Sequence, residues 1–317
     1  MSTKSNNQGR AYEYACLITL KQEIEKCRPT HIEENSSYTS ALHAWNTLDA
    51  DTQTTYLRSS LVATEAIFEM EPRILENDKN VLELSIQKDE RGKVVDVRDI
   101  IIIRRNIAWE IGLSLKHNHF AVKHSRLSHT LDFSQSWYGI PCSQQYWNDV
   151  TPIFNYLKEC KSQKLPFSSI AHKETTIYTP VLDAFINEIL RQYKSDTSIP
   201  SKFVEYLLGK FDFYKVVSVD AKHQTLIQTF NTHGTLNQNS KAQKAKVKVP
   251  IASLPTRIVS LDYKPKSSTT VELYMDGGWQ FSFRVHSAKT ICEPSLKFDV
   301  QIIGMPIQII SITALWK

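Results

Sequence analysis

Apolar and polar positions repeat with a helical period over roughly the first seventy residues, and the period then changes to strand alternation. The helical pattern predicts three helices, over residues 8–28, 39–48 and 54–70, and Pro72 closes the last of them. The alternating pattern predicts three strands, over residues 80–87, 94–104 and 108–116. A charged turn over residues 88–93 joins the first two strands, so we expect a three-stranded meander with short connections.

The rest of the chain has patterns typical of further helices and then of many strands. The helices are predicted over residues 119–131, 144–162, 179–194 and 201–210. The strands are predicted over residues 213–220, 223–230, 246–251, 256–263, 269–275, 278–286, 297–303 and 307–314, and the polar segment 232–248 has the character of a mobile loop. The expected fold class is α/β (α+β), with a mixed α/β part over residues 1–211 and a mainly antiparallel, β-rich part over residues 212–317. No linker separates these parts, so one compact unit remains an open alternative.

Composition places the chain among folded globular proteins. Of its 317 residues, 41% are hydrophobic and 22% are charged, with 9 Gly and 12 Pro, which excludes the collagen-like, low-complexity and disordered classes. No run of apolar residues is long enough to span a bilayer, and the first ten residues lack the apolar centre of a secretory signal. The five cysteines are scattered and form no CxxC pair. We therefore expect a cytoplasmic protein without membrane association, a disulfide framework or a zinc site.

Charge is distributed unevenly along the chain. Residues 201–317 contain 15 Lys and Arg against 8 Asp and Glu, a balance of +7, whereas the first 200 residues contain 23 against 25, a balance of −2. A basic C-terminal third indicates a polyanionic partner, of which nucleic acid is the usual one. The alternative interpretation is that the charge serves only solubility.

Carboxylates and a lysine fall together in the predicted meander. Asp99 shares a strand face with aliphatic residues, whereas Asp96 lies on the opposite face. On the following strand, Glu110, Ser114 and Lys116 share one face. Two carboxylates and an amine suit phosphodiester hydrolysis, because carboxylates hold Mg²⁺ and a lysine stabilises hydroxide and developing oxyanions. The alternative is an ordinary surface ion pair on adjacent strands.

Basic residues continue beyond this strand. Residues 111–131 contain no acid, and we expect their polar side chains to contact DNA phosphates, with Asn118, His119, Lys123, His124 and Arg126 as candidates. Residues 221–260 also contain no acid, and their candidates for phosphate contact are Lys241, Lys244 and Lys246. A solvated helix face and a merely soluble loop are the respective alternatives. Near the C-terminus, Arg284, His286 and Lys297 are candidates for DNA contact, and the first and last of these suit guanine in the major groove.

The spacing from Asp99 to Ser114-Leu115-Lys116 resembles the PD-(D/E)xK nuclease core of many type II restriction endonucleases, with serine in place of the usual second acid. The resemblance implies that Asp99 binds the metal and Lys116 assists the attacking water. Ser114 is then a minor participant. Glu110 is the natural substitute for the missing acid, Glu13 on the first helix is another, and Asp96 is a weaker candidate.

Longer segments resemble the HaeIII family of restriction endonucleases, namely residues 6–20, 94–128, 137–147, 204–216 and 283–300. They span most of the chain. The resemblance implies Mg²⁺-dependent cleavage of double-stranded DNA at 5′-GGCC-3′ and a cognate DNA methyltransferase that protects the host. A palindromic site also favours a homodimer with one active site per strand.

Rival functions remain at this point. Serine in place of an acid is compatible with a DNA-binding protein whose nuclease core has decayed. A structure-specific repair nuclease would use the same core. If the basic C-terminal third were incidental, the protein would not bind nucleic acid at all.

Overall fold

A computed structural model describes residues 2–87 and 96–317, with side chains from residue 7 onward except that of residue 124. The predicted turn over residues 88–93 and the start of the predicted strand 94–104 lie outside these residues. The described residues fall into two compact units. The first unit comprises residues 1–120, 209–252 and 307–317, and the second comprises residues 121–208 and 253–306. No helix in the described ranges is long and apolar enough to cross a bilayer.

This division differs from the single boundary predicted between residues 211 and 212. The chain passes between the units at four places, and only the passage after Leu208 falls near the predicted boundary. The physical reason is strand pairing between segments that are far apart in the sequence, which sequence periodicity does not report.

The first unit contains four helices and seven strands among its described residues. The helices are α1 (Ser2–Glu25), α2 (Ser36–Asn46), α3 (Ala50–Met70) and α4 (Pro72–Leu75). The strands are β1 (Thr30–Glu33), β2 (Leu82–Ile86), β3 (Ile100–Arg104), β4 (Trp109–His117), β6 (Phe213–Val219), β7 (Gln224–Phe230) and β12 (Ser311–Leu315). They form one sheet in the order β1-β2-β3-β4-β6-β7-β12, in which β1–β2 and β4–β6 are parallel pairs. Asn35 and Asp49 cap α2 and α3 by accepting hydrogen bonds from main-chain N–H groups.

The seven-stranded sheet has two chemically distinct faces. On the core face, Ile111, Leu113 and Leu115 of β4 pack in one hydrophobic cluster with residues of α1 and α3 such as Leu17 and Ile67. The site face is defined here as the opposite face, which carries Glu110, Gly112, Ser114 and Lys116 of β4. Burial of the apolar face therefore fixes which side chains of β4 point away from the helices.

The second unit contains a five-stranded antiparallel sheet and four helices. Its strands are β5 (Lys123–Ser128), β8 (Ile258–Tyr263), β9 (Thr270–Met275), β10 (Gln280–Ser287) and β11 (Ser295–Gly304), in the order β5-β11-β10-β9-β8. Its helices are α5 (Phe133–Tyr138), α6 (Gln144–Ser162), α7 (Thr179–Tyr193) and α8 (Ile199–Leu208). One face of the sheet packs on an aromatic cluster, in which Phe283 and Phe298 contact Phe185, and Phe283 also contacts Phe203. The other face is polar.

The mixed α/β fold class is confirmed, and so is the meander, because β2, β3 and β4 pair in antiparallel succession. Two local predictions are wrong. Residues 119–131 contain β5 rather than a helix, because pairing with β11 imposes the extended conformation. Residues 246–251 form no strand, since the N–H groups of Lys246 and Val249 bond to the Glu69 carbonyl and the Asn237 side chain.

Candidate active site

Antiparallel pairing of β3 with β4 brings Asp99, Ser114 and Lys116 together. Ile100 pairs with Leu113, so Asp99, one residue earlier, lies opposite Ser114. One carboxylate oxygen of Asp99, Oδ2, accepts hydrogen bonds from Leu115 N at 2.6 Å and Lys116 Nζ at 3.3 Å. Ser114 Oγ lies 3.5 Å from the same oxygen. The predicted spacing therefore corresponds to a real cluster of a carboxylate, a hydroxyl and an amine.

The cluster is open to solvent on one side. The side chains of Lys116 and Asp99 are 26% and 25% exposed. Oδ1, the second oxygen of Asp99, accepts no hydrogen bond from any described residue. Asp99 thus keeps one acceptor oxygen for an external ligand while its other oxygen is held by β4.

Glu110 and Asp96, two predicted metal ligands, are engaged with Arg98 instead. Arg98 donates to Glu110 Oε1 at 2.9 Å and to Asp96 Oδ2 at 2.9 Å. Burial raises the pKa of Asp96, but the hydrogen bonds and charge of Arg98 outweigh this effect and hold the pKa below its ordinary value. Asp96 is therefore a structural ion-pair partner in this geometry.

The strand register bears on the predicted pairing of Glu110 with Asp99. Glu110 lies opposite Ile103 and four residues from Ser114, which is about 13 Å along a strand. The side chain of Arg98 lies over Gly112, between these two positions, where a β-carbon on residue 112 would collide with it. The shared strand face was predicted, but the strand register separates the two carboxylates.

Glu13, the other predicted second acid, lies on α1. The Cys16 thiol, one helical turn after Glu13, is buried, and burial raises its pKa to about 12. Hydrogen bonds with Ser60 and Tyr12 oppose that rise, and the negative charges of Glu13 and Asp99 add to it. Both carboxylates therefore lie within electrostatic range of the same thiol, and Glu13 stays a predicted second acid.

Lys215 is a neighbour that the sequence interpretation missed. Parallel pairing of β4 with β6 places it beside Ser114 on the site face. It is 5% exposed and donates to the Phe120 carbonyl at 2.9 Å. Burial, and then the positive charge of Lys116, lower the pKa of Lys215 to about 8. A lysine within the otherwise apolar run Phe213–Val217 was the available sequence signal.

The end of β4 is fixed by a polar turn. His117 Nε2 lies 2.6 Å from Asp220 Oδ2, and its Nδ1 lies 3.3 Å from the Tyr56 hydroxyl. Asn118 has a left-handed φ of 52°. Its side-chain Nδ2 donates to Asp220 Oδ2, and its side-chain Oδ1 accepts a hydrogen bond from Asp220 N. Asn118, a predicted DNA contact, is therefore committed to this turn, whereas His119 is exposed. The turn holds the backbone that follows Lys116.

Several predicted DNA-contacting residues meet on the polar face of the five-stranded sheet. Arg126 pairs with Lys297, and Lys297 pairs with His286, so three basic side chains lie in one row across β5, β11 and β10. In the next row Asp299 lies between His124 and Arg284, and the His124 side chain lies outside the described part of the structure. Like charges directly opposite each other are destabilising, so such a row favours an anionic partner.

The remaining basic candidates lie elsewhere. Lys123 is on the opposite face of β5, where it donates to the Tyr206 carbonyl at 2.8 Å and lies 3.6 Å from the Tyr206 ring centroid. Burial lowers its pKa to about 8, so it is poorly placed for phosphate. The lysines of the 232–248 segment are exposed, namely Lys241, Lys244 and Lys246. The segment contacts α3 and the residue after α4, since Lys246 pairs with Glu69 and Lys241 N bonds to Glu76.

Metal binding by this site would depend on few protein ligands. Within residues 2–87 and 96–317, no group of three or more His, Cys, Asp or Glu side chains is arranged to hold an ion. Mg²⁺ commonly binds through one or two carboxylates, substrate phosphate oxygens and several waters. The free Oδ1 of Asp99 fits that chemistry, and Glu13 is the candidate second carboxylate.

The fold and this cluster define a mixed α/β protein whose site suits phosphodiester hydrolysis. The sequence model of the HaeIII restriction endonuclease family matches residues 9–306. The type II restriction enzyme HaeIII of Haemophilus aegyptius is 50% identical over 318 residues, which cover 100% of both chains. The chain belongs to the HaeIII restriction endonuclease family, and the predicted enzyme class of type II site-specific deoxyribonuclease is thereby confirmed. No solved structure matches the chain.

Proposed function

We propose that this protein cleaves double-stranded DNA at the palindrome 5′-GGCC-3′ by Mg²⁺-dependent phosphodiester hydrolysis. The cluster of Asp99, Ser114 and Lys116 is the observation that carries this proposal, because it lies on adjacent strands at a solvent-open position. The recognition sequence is that implied by the family resemblance.

Each residue of the cluster has a distinct role in this mechanism. Lys116 donates a hydrogen bond to the attacking water and stabilises negative charge on the phosphate oxygens. Leu115 N–H holds Oδ2 of the Asp99 carboxylate, and Oδ1 is the oxygen that would serve as the ligand atom. Ser114 adds a neutral donor where a second acid would stand. Asp99 and Glu13 would hold Mg²⁺, which when bound would supply a water of lowered pKa and neutralise phosphate charge.

The assembly follows from the symmetry of the proposed site. Two copies related by a two-fold axis present the same residues to both strands of a palindrome. We infer a homodimer, a cytoplasmic location and a methyltransferase of matching specificity as the functional partner.

The polar face of the five-stranded sheet contacts DNA in this proposal. Arg126, Lys297 and His286 span two strand spacings, about 10 Å, which suits phosphate contacts and guanine edges in one groove. Arg284 is exposed in the neighbouring row.

Replacing Lys297 or Arg126 with alanine is expected to weaken duplex affinity. For a lost phosphate contact, the slope of log affinity against log salt should fall by about one, and a lost base contact should relax sequence preference. Fluorescence anisotropy at several salt concentrations without Mg²⁺ measures both. Lys266→Ala, at an exposed position in the same unit, should leave affinity and slope unchanged. If all three variants had the same duplex affinity and salt slope, the polar face of the sheet would not be part of the DNA interface.

The experiment for the overall function is a digest of a duplex that contains one GGCC, with and without Mg²⁺, mapped to the nucleotide. Cleavage only at unmethylated GGCC and only with Mg²⁺ is the expected result. Cleavage at mismatches or junctions would instead identify a structure-specific nuclease. Binding without any cleavage would identify a decayed core.

A further inference from the structure

A cavity of about 760 Å³ opens in the first unit at the opposite end of β4 from Lys116. It is lined by the end of β3, the start of β4, Lys210–Asp212 and the 233–238 segment. Glu110, which faces it, is about 13 Å along β4 from Ser114, so the cavity is separate from the Asp99 cluster. Its volume lies within the range of small-molecule sites.

Phe211 gives this cavity an aromatic wall. The ring is stacked on one side by the guanidinium of Arg98, whose central carbon lies 4.1 Å from the ring centroid. Phe211 is nevertheless 42% exposed. An exposed aromatic ring supported from one side offers its free face to a planar ligand, as nucleobase-stacking residues do.

The same cavity is lined by two cations, Lys210 and Arg73, and neither forms an ion pair with a described residue. Arg73 Nε donates to the Asn239 carbonyl at 3.0 Å, and the terminal guanidinium nitrogens of Arg73 have no hydrogen-bond partner among the described residues. The cavity therefore offers positive charge to an anionic ligand.

The two carboxylates in the lining do not cancel this positive charge. Glu110 is paired with Arg98. Asp212 is enclosed by the 232–235 turn and accepts main-chain hydrogen bonds from Thr232, His233 and Thr235 at 2.7, 2.9 and 2.8 Å. Both carboxylates are therefore satisfied within the protein, and the open groups of the cavity are two cations and one aromatic ring.

We propose that this cavity binds a single nucleotide, with its base stacked on Phe211 and its phosphate held by Lys210 and Arg73. The site is independent of the phosphodiester chemistry at Asp99. Its ligand is either a free mononucleotide or one nucleotide of a DNA strand, since both present the same base and phosphate.

Calorimetric titration of the full-length protein with dGMP, without Mg²⁺ or DNA, tests the proposal. Phe211→Ala and Lys210→Gln are each expected to weaken dGMP binding about tenfold, because a stacking face or a phosphate contact is lost. Both side chains reach solvent, so neither substitution removes core packing. Lys79→Gln, at an exposed position of the same unit that does not line the cavity, should bind dGMP like the unaltered protein.

A second titration with a short GGCC duplex distinguishes the two sources of the nucleotide. If the nucleotide comes from DNA, Phe211→Ala should weaken duplex affinity by a similar factor. If it is free, duplex affinity should be unchanged while dGMP affinity falls. Absence of dGMP binding to the unaltered protein, or equal binding by the Phe211, Lys210 and Lys79 variants, would overturn the proposal whatever the duplex titration shows.

Discussion

Replacing Lys116 with alanine is expected to reduce GGCC cleavage by about a thousandfold or more while duplex binding stays within a few-fold of the unaltered protein. Lys116 Nζ is held 3.3 Å from the Asp99 carboxylate, where a positive charge stabilises both the nucleophile and the phosphate oxygens. Those interactions develop in the transition state, so their loss should appear in the rate constant rather than in DNA affinity.

Single-turnover cleavage with saturating enzyme measures this effect without contributions from product release. Lys158→Ala is a matched control, because Lys158 is an exposed lysine on α6 and belongs to none of the candidate sites. Near-normal cleavage by the Lys116 variant would remove this residue from the mechanism. A joint loss of cleavage and binding would assign it to DNA affinity instead.

Asp99→Asn is expected to reduce the cleavage rate about as much as Lys116→Ala does. Glu110→Gln should change the cleavage rate by no more than about threefold. Asparagine keeps an oxygen to accept the Leu115 hydrogen bond but removes the negative charge that would hold Mg²⁺. Glu110 is paired with Arg98 away from Asp99, so its charge contributes to local structure. Glu13→Gln should lie between these variants and require more Mg²⁺ for half-maximal cleavage.

The three variants can be compared across a Mg²⁺ titration in the same single-turnover assay. A large defect in Glu110→Gln, together with normal behaviour of Glu13→Gln, would restore the assignment made from the strand face. Thermal unfolding of each protein provides the control, since loss of the Glu110–Arg98 pair at a half-exposed site should shift the melting temperature only slightly.

The sequence predicts the local parts of this architecture well. Antiparallel neighbours β2, β3 and β4 are joined by short connections, and helices α6 and α7 have long periodic patterns, so local signals define them. The cluster of Asp99 with Lys116 follows from the same local meander. The strand β5 was missed because its outward residues are polar and its conformation depends on pairing with β11, far away in the sequence.

The second acid shows where sequence reasoning reaches its limit. A face was assigned correctly to Glu110, but faces repeat every two residues and do not specify distance along a strand. That distance depends on the register of β3 against β4, and the Arg98 side chain lies over Gly112 between the two positions. The proximity of Lys215 to Ser114 depends on the parallel β4–β6 pair, which joins segments about a hundred residues apart.

The repeated passage of the chain between its two units limits how the protein can be divided. A fragment ending at residue 211 would lack β6, β7 and β12, three of the seven strands of the first sheet. The hydrogen-bonding edge of β4 that normally pairs with β6 would then be bare, at the strand that carries Lys116, and bare edges promote aggregation. A hybrid enzyme that joins this cleavage cluster to the DNA-contacting sheet of a relative would therefore need four matched junctions rather than one.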